Sequence, residues 1–300
     1  MSGISRRSFC AVAGGAAVAA VSTSLLPRVA GAGPIGLPIG IQLYSVGKPL
    51  MEDTAGTLAK VRAIGYREVE TAGYAKLSAK EFRKLLDDAG LVCPSAHLQL
   101  AGSEVEAQFE DAHALGAHYA VSSVLFAVHP GMHELPKMDV DGFKKSAALM
   151  NEVGKKAKAA GLQYAYHNHN FEFAKMPDGT PGYDILVKET DPDLVKFEID
   201  CGWMVVAGGN PVEYFKKYPG RFRMLHIKDF KPVSHPDTSL TGSERPVGTD
   251  LGTGFVKYGP IFAAGKAAGI EHCFVEQEAP YPVSELESAK NDFAFVQKFS

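Results

Sequence analysis

Residues 141–171 read DGFKKSAALMNEVGKKAKAAGLQYAYHNHNF. The stretch 141–160 predicts a helix, Gly161 stops it, and 162–171 predict a strand unusually rich in polar side chains. The junction Ala160-Gly161-Leu162 has counterparts in Ala63-Ile64-Gly65-Tyr66, Ala89-Gly90-Leu91 and Ala268-Gly269-Ile270, each a helix end turning into a strand. Outward from 141–171, strands are expected at 39–44, 66–70, 91–98, 118–125, 194–200, 222–229 and 272–278. Helices are expected at 54–64, 78–89 with Ser78 as cap, 104–115, 212–218, 258–268 and 284–299. Strands alternating with helices of this length form parallel βαβ units. Eight such units favour a closed barrel over an open doubly wound sheet. No G-x-G-x-x-G turn follows the first strand, which removes the main cue for a dinucleotide fold. The expected fold is an α/β, single-domain (β/α)8 TIM barrel over 35–300. The long irregular stretch 231–257 is expected to hang over its catalytic face.

The first residues stand apart from this rhythm. Ser5-Arg6-Arg7-Ser8-Phe9 is a twin-arginine pattern, 11–26 is an apolar run, and Ala30-Gly31-Ala32 is a small-residue end. Residues 1–32 therefore resemble a twin-arginine export signal, and the expected location is the periplasm, reached already folded. The apolar run contains glycine and is shorter than the roughly 20 residues that span a bilayer, so stable membrane insertion is not expected. Cys93, Cys201 and Cys273 lie in apolar, strand-like contexts and read as buried free thiols rather than a disulfide framework. The 300 residues are 46% hydrophobic, enough for a sizeable core. With 31 basic and 34 acidic residues the net charge is −3, which carries no electrostatic footprint for nucleic acid.

In a barrel of this kind the chemistry sits at the carboxyl ends of the strands. Polar residues gather there: Glu70; His97; His167, Asn168, His169, Asn170 and Glu172; Asp200; His226, Lys228 and Asp229; Glu276 and Glu278. Such groups are rarely buried without partners. Carboxylates and an imidazole converging from separate strands suit a hard-to-borderline divalent cation such as Mn, Mg, Co or Zn. Plainer readings exist for several of them. Glu70 can form an ion pair across the barrel mouth, His97 can be a core histidine, and Asp229 can cap a loop. Glu198 is expected to face away from Asp200 and serve packing, and Lys228 to share a face with His226. His113, His118, His129, His133, His235 and His272 read as surface or structural.

The motifs Tyr166-His167-Asn168-His169-Asn170-Phe171-Glu172-Phe173, Phe197-Glu198-Ile199-Asp200, Ala207-Gly208-Gly209-Asn210-Pro211, His226-Ile227-Lys228-Asp229 and Phe274-Val275-Glu276-Gln277-Glu278 resemble those of the sugar phosphate isomerase/epimerase family, the xylose-isomerase-like TIM barrels. The resemblance runs over most of 39–298. It implies a divalent cation held by Glu172, Asp200, His226 and Glu276, with His169 as the alternative at the first position. It implies Glu172, Glu276, His167, His169 and Lys228 as groups that move protons or stabilise an oxyanion. Tyr44, Glu70, His97 and Trp203 are the candidate substrate contacts, Tyr44 and Trp203 by stacking on a sugar face. One departure is plain: Asp200-Cys201-Gly202 is followed by Trp203 where related epimerases have histidine.

The expected function is that of a metal-dependent sugar isomerase or epimerase that abstracts a proton next to a carbonyl. The alternatives are a periplasmic lyase or hydrolase acting on 3-keto sugars or glycosides, and a non-catalytic sugar-binding module. The expected partner is a small sugar or keto-sugar, with a homo-oligomer implied by resemblance only.

Overall fold

The computed structural model describes residues 33–102, 104–125, 138–240 and 245–300. The export signal read at 1–32 and the residues His129 and His133 lie outside the described residues. Chain order gives the strands β1 (Ile39–Gln42), β2 (Glu68–Thr71), β3 (Val92–His97), β4 (Tyr119–Ser122), β5 (Gln163–His167), β6 (Val195–Asp200) and β7 (Phe222–Ile227). The two-residue strands β8 (Asp229–Phe230) and β9 (Gly248–Thr249) follow, and then β10 (His272–Val275). The longer eight close into one barrel in the order β1-β10-β7-β6-β5-β4-β3-β2, while β8 and β9 form a separate antiparallel pair. The barrel pairings are parallel, as the alternating pattern requires.

Helices α1 (Gly47–Glu52), α2 (Thr54–Ile64), α3 (Ala79–Ala89), α4 (Val105–Leu115), α5 (Val140–Ala159), α6 (Gly182–Glu189), α7 (Cys201–Val206), α8 (Pro211–Lys217), α9 (Tyr258–Ala268) and α10 (Glu285–Val296) connect or flank the strands. Their ends follow local chemistry. Ser78 and Glu81 form a reciprocal capping box at the start of α3, and Phe82 and Leu86 are the face it buries. Beyond α3 and α9, Gly90 and Gly269 turn left-handed at φ 69° and 80°, a conformation that costs a side-chain-bearing residue but not glycine. These are the helix-to-strand junctions that the sequence repeats.

Along each strand, alternate residues face the helix layer or the barrel axis. Ile41, Val69, Ile199, Leu225 and Val275 join the large core beneath the helices. Tyr119, Val121, Ala165, Met224 and Phe274 form a separate apolar plug inside the barrel. Gly40 makes room for that plug, because a Cβ there would lie 2.5 Å from the Phe274 ring. Burying each large apolar side chain contributes roughly 1.5–3 kcal/mol. The plug closes the barrel from below and leaves the polar residues stacked above it, at the carboxyl rim.

Several elements differ from expectation. β5 ends at His167 rather than continuing to 171, and Glu172 sits in a short 3-10 turn, Phe171–Phe173. β7 ends at Ile227. The stretches 47–52, 182–189 and 201–206 carry helices that the sequence pattern does not announce, because each is short and α6 and α7 are buried on nearly every side. The three cysteines are free and buried, as expected. Among the described residues, no helix is long and apolar enough to cross a membrane.

Candidate metal centre

The inward positions at the rim hold one connected polar network. Glu70 on β2 accepts from Gln42 Nε2 at 2.8 Å and from the Ser95 hydroxyl. The same carboxylate lies 2.7 Å from His226 Nε2 and 3.0 Å from His97 Nε2. Glu198 Oε2 is met by three imidazoles: His97 Nε2 at 2.9 Å, His167 Nδ1 at 3.1 Å and His226 Nε2 at 3.2 Å. Glu276 Oε2 lies 3.1 Å from His226 Nδ1 and 3.0 Å from Lys228 Nζ, and Lys228 also pairs with Glu278. Glu70, Glu198, Asp200, His226 and Lys228 are essentially sealed from solvent.

Glu198 corrects the sequence reading. It was expected to face away from Asp200, yet it stands at the centre of the network. Residues two apart on a strand share a face, so the alternation that turns Asp200 inward turns Glu198 inward with it.

Two groups of donor atoms are close enough to share an ion. One is His167, Asp200, His226 and Glu276; the other is His97, His167, Glu198 and His226; within each, the atoms lie within 4.8 Å of one another. The first set comes from β5, β6, β7 and the end of β10, and three of its members are the expected Asp200, His226 and Glu276. Asp200 Oδ1 caps α7 by accepting from Trp203 N at 2.8 Å, while Oδ2 is buried without a hydrogen-bond partner. An orphaned carboxylate oxygen beside two imidazoles and a second carboxylate fits a divalent cation. Glu198 on His167 Nδ1 is the kind of outer contact that fixes the tautomer of a ligating imidazole.

Glu172 falls in neither group. Its carboxylate accepts from the Tyr166 hydroxyl at 2.7 Å and from His169 N at 3.1 Å, so it braces the chain just after β5. His167 occupies the place that the resemblance gives to Glu172. Tyr44, His97, His167, His169, Glu276 and Glu278 line the pocket at the barrel mouth, about 260 Å³ in volume. Tyr44 is 58% exposed there, and His169 Nδ1 is buried without a partner. Trp203 is enclosed at 1% exposure, its ring centre 4.5 Å from Phe230 and 6.0 Å from His169, so it supports the pocket from behind.

The electrostatics follow from burial opposed by charge. Burial lowers His97, but Glu70 and Glu198 more than reverse this and hold it at about 10. His226 is raised well above its ordinary value because Glu198, Glu276 and Glu70 together outweigh its burial. His226, with hydrogen bonds from His167 and His97, holds Glu198 far below the usual carboxylate range despite burial, and Lys228 with His226 does the same for Glu276. His167 is pushed down to about 4 by burial and by neighbouring His226, and His169 to about 3 by burial and His167. Burial raises Asp200 and Glu172 to about 7. His167 and His169 are thus neutral, while the surrounding carboxylates favour a proton on His97, which also lines the pocket, and on the deeper His226.

Sequence reasoning missed Glu198, Gln42 and Ser95. The signal was present for all three, as polar residues at inward positions two residues from another polar one: Glu198 before Asp200, Ser95 before His97, and Gln42 before Tyr44.

Known proteins bear on the site. A profile of the xylose isomerase-like TIM barrel matches residues 58–299. An inosose dehydratase from Lacticaseibacillus casei is 28% identical over 142 residues, 45% of this chain and 47% of that protein. The chain thus spans about half the length of the first curated relatives it matches. A sugar phosphate isomerase/epimerase from Parabacteroides distasonis superposes with TM-score 0.68 and 28% identity, covering 86% of this chain and 93% of that one. A xylose isomerase-like TIM-barrel protein from Mycobacterium smegmatis, in complex with magnesium, superposes with TM-score 0.58. It is 21% identical over 83% of this chain and 88% of that one, a likeness of fold alone.

Proposed function

Because the chain belongs to the xylose isomerase-like TIM-barrel family, we propose that it is a divalent-metal-dependent enzyme acting on a sugar or keto-sugar by proton transfer next to a carbonyl. The observation that carries this reading is the buried quartet His167, Asp200, His226 and Glu276, supplied by four neighbouring strands and including an unpartnered carboxylate oxygen. His167, Asp200, His226 and Glu276 would hold the cation, which when bound would polarise a carbonyl and make the hydrogen on the adjacent hydroxyl-bearing carbon more acidic. A site of two imidazoles and two carboxylates suits a hard-to-borderline cation, Mn, Mg, Co or Zn.

The remaining groups divide the proton work. His169 lines the pocket and is held neutral, so it is placed to hydrogen-bond the substrate hydroxyl whose proton moves. Lys228 Nζ, anchored by Glu276 and Glu278, supplies a fixed positive charge for the oxyanion that forms. Glu172 positions His169 through its backbone N–H and acts on the reaction only through that residue. Isomerase or epimerase activity is the first reading, supported by the Parabacteroides distasonis relative. A dehydratase is the second, favoured by the Lacticaseibacillus casei relative, because the same intermediate loses a hydroxyl at the adjacent carbon if an acid protonates it. We further propose that the twin-arginine pattern delivers the folded chain to the periplasm.

The test is metal analysis followed by incubation with keto-sugars in D2O. The expected result is near-stoichiometric metal, lost in His226→Ala with Asp200→Ala, and deuterium entering next to the carbonyl. Deuterated product of unchanged formula marks isomerisation or epimerisation, and loss of water marks the dehydratase. No bound metal and no exchange with any keto-sugar would leave a sugar-binding module instead.

A further inference from the structure

A second cavity, about 350 Å³, opens in the segment that follows β7. Its charged walls are Lys231, His235, Asp237 and Arg245, with Pro232 and Val247 among the rest. The local chain order brings these residues together. β8 pairs with β9, and Lys231 N donates to Val247 O at 2.9 Å, which sets Lys231 and Arg245 on one cavity. Asp229 holds the return of the loop by accepting from the N–H groups of Gly252, Gly254 and Val256 at 2.9–3.1 Å. On the other side, Asn170 Nδ2 donates to Asp237 O at 3.1 Å and to Ser239 O at 2.9 Å, while Asp237 N donates to Val206 O at 3.0 Å. A cavity pinned at both ends needs little ordering to bind a ligand.

This cavity shares a wall with the barrel mouth. Arg245 lines the cavity and pairs with Glu278, Glu278 lines the mouth pocket, and Lys228 pairs with Glu278 from within. Trp203 lies behind the same wall, its ring centre 5.8 Å from the Arg245 guanidinium and 5.0 Å from Lys228 Nζ. The mouth pocket alone, at about 260 Å³, is smaller than the roughly 300–1,000 Å³ of most ligand sites. A substrate larger than that pocket would extend beyond it, and the loop cavity lies next to it across the Arg245–Glu278 pair.

The walls indicate what they receive. Among the described residues, no Trp, Tyr or Phe lines the cavity, so they offer a sugar face no ring to stack on. Lys231 is exposed and has no carboxylate partner among the described residues. Asp237 already accepts from Ser239 N at 2.7 Å. We propose that the loop cavity is a second subsite, in which Lys231 and Arg245 bind an oxyanion, a carboxylate or phosphate, carried by the substrate at the end remote from its reacting carbon. The inference rests on the metal-centre reading for the position of that carbon. A sugar acid or sugar phosphate is the substrate class that follows.

Trp203, the single tryptophan of the chain, reports on both cavities. Its emission is followed while the full chain, loaded with Mn2+, is titrated with glucose, glucuronate and glucose 6-phosphate in turn. At least one anionic sugar is expected to bind about tenfold or more tightly than glucose, an oxyanion–cation contact contributing roughly 1.5–3 kcal/mol. Which of the two binds more tightly identifies carboxylate or phosphate. Lys231→Gln is expected to remove most of that preference and Lys231→Arg to keep it, with Mn2+ uptake unchanged in both. Equal binding of glucose and the anions, or a preference that survives Lys231→Gln combined with Arg245→Gln, would overturn the subsite. A chain that takes up no Mn2+ but still prefers the anionic sugars keeps the subsite and sinks the metal-centre reading instead.

Discussion

Replacing Glu198 by glutamine tests the arrangement at its centre. The carboxylate is fully buried, and a single oxygen lies 2.9, 3.1 and 3.2 Å from nitrogens of His97, His167 and His226. The amide keeps the shape and one acceptor but removes the charge that pairs with His97 and that orients the imidazoles of His167 and His226. Breaking a buried ion pair by removing one partner costs about 3–5 kcal/mol. Glu70 and Glu276 remain beside His226, and Glu70 beside His97, so the cost falls at the lower end, about 3 kcal/mol. At roughly 2–4 °C per kcal/mol for a domain of this size, the melting temperature drops by roughly 6–12 °C. Scanning calorimetry at pH 7 measures it, with the exposed Glu189→Gln as a control that shifts it by at most about 2 °C. A Glu198→Gln melting point indistinguishable from the parent would refute the inward placement of Glu198 and the ion-pair network built on it.

Two further outcomes follow from the same geometry. His167→Ala is expected to abolish stoichiometric metal uptake, whereas Glu172→Gln, which touches only His169 and Tyr166, lowers metal affinity by at most about 10–100-fold; mass spectrometry of dialysed protein decides, and the reverse order would restore Glu172 as the ligand. Asp292 is raised to about 8 by burial and by the nearby Asp250 and Asp229. The folded state therefore keeps a proton that the unfolded state releases near pH 4, so this group's contribution to stability is full below pH 4 and declines as pH rises towards 8, by up to about 1.4 kcal/mol per unit. Denaturant melts across that window should show a shallower decline in Asp292→Asn, which keeps the acceptor for Leu251 N; an unchanged slope would mean that another group carries the effect.

The barrel was legible because two independent signals agreed. The glycine after each helix fixes where a strand can begin, and the spacing of these junctions leaves room for one helix each time. The site was legible at some places where a polar residue recurred two positions on at a strand end, as in His226 and Lys228 or Glu276 and Glu278, though Gln42 and Ser95 carry the same signal and were missed. It failed where that rule was applied with the wrong sign, at Glu198. The register shift between β6 and β7 does not excuse the error. Phe197 pairs with Phe222 and Glu198 with Met224, so the extra residue is Arg223 on β7, and the alternation of β6 is unbroken. The end of β5, and with it the setting of Glu172, was misread for a different reason. Asn168 and Asn170 favour turns, yet a run of polar residues with interspersed aromatics also reads as strand, and nothing local marks His167 as the last paired residue. The place of Trp203 was hidden by α7, six residues too short and too apolar to show a helical period.

That short helix links the two halves of the site. One oxygen of Asp200 starts α7 by capping Trp203 N, and the other makes no hydrogen bond and lies 4.0 Å from Lys228 Nζ. Gly202, next in the helix, lets α7 lie against the end of β7, since a Cβ there would fall 2.5 Å from Lys228 O. The Tyr258 hydroxyl bonds that same carbonyl from the far side at 2.7 Å. Asp200, Lys228 and Trp203 are therefore held relative to one another by backbone contacts as well as by the charge of Lys228, which lies 4.0 Å from Asp200 and 5.0 Å from the Trp203 ring centre. A group that neutralises Asp200 need not rebuild the pocket wall, because the wall is already fixed. The energy of binding such a group can go into its ligands, and the Trp203 side of the wall, with Arg245 beyond it, stays in register with the reacting end.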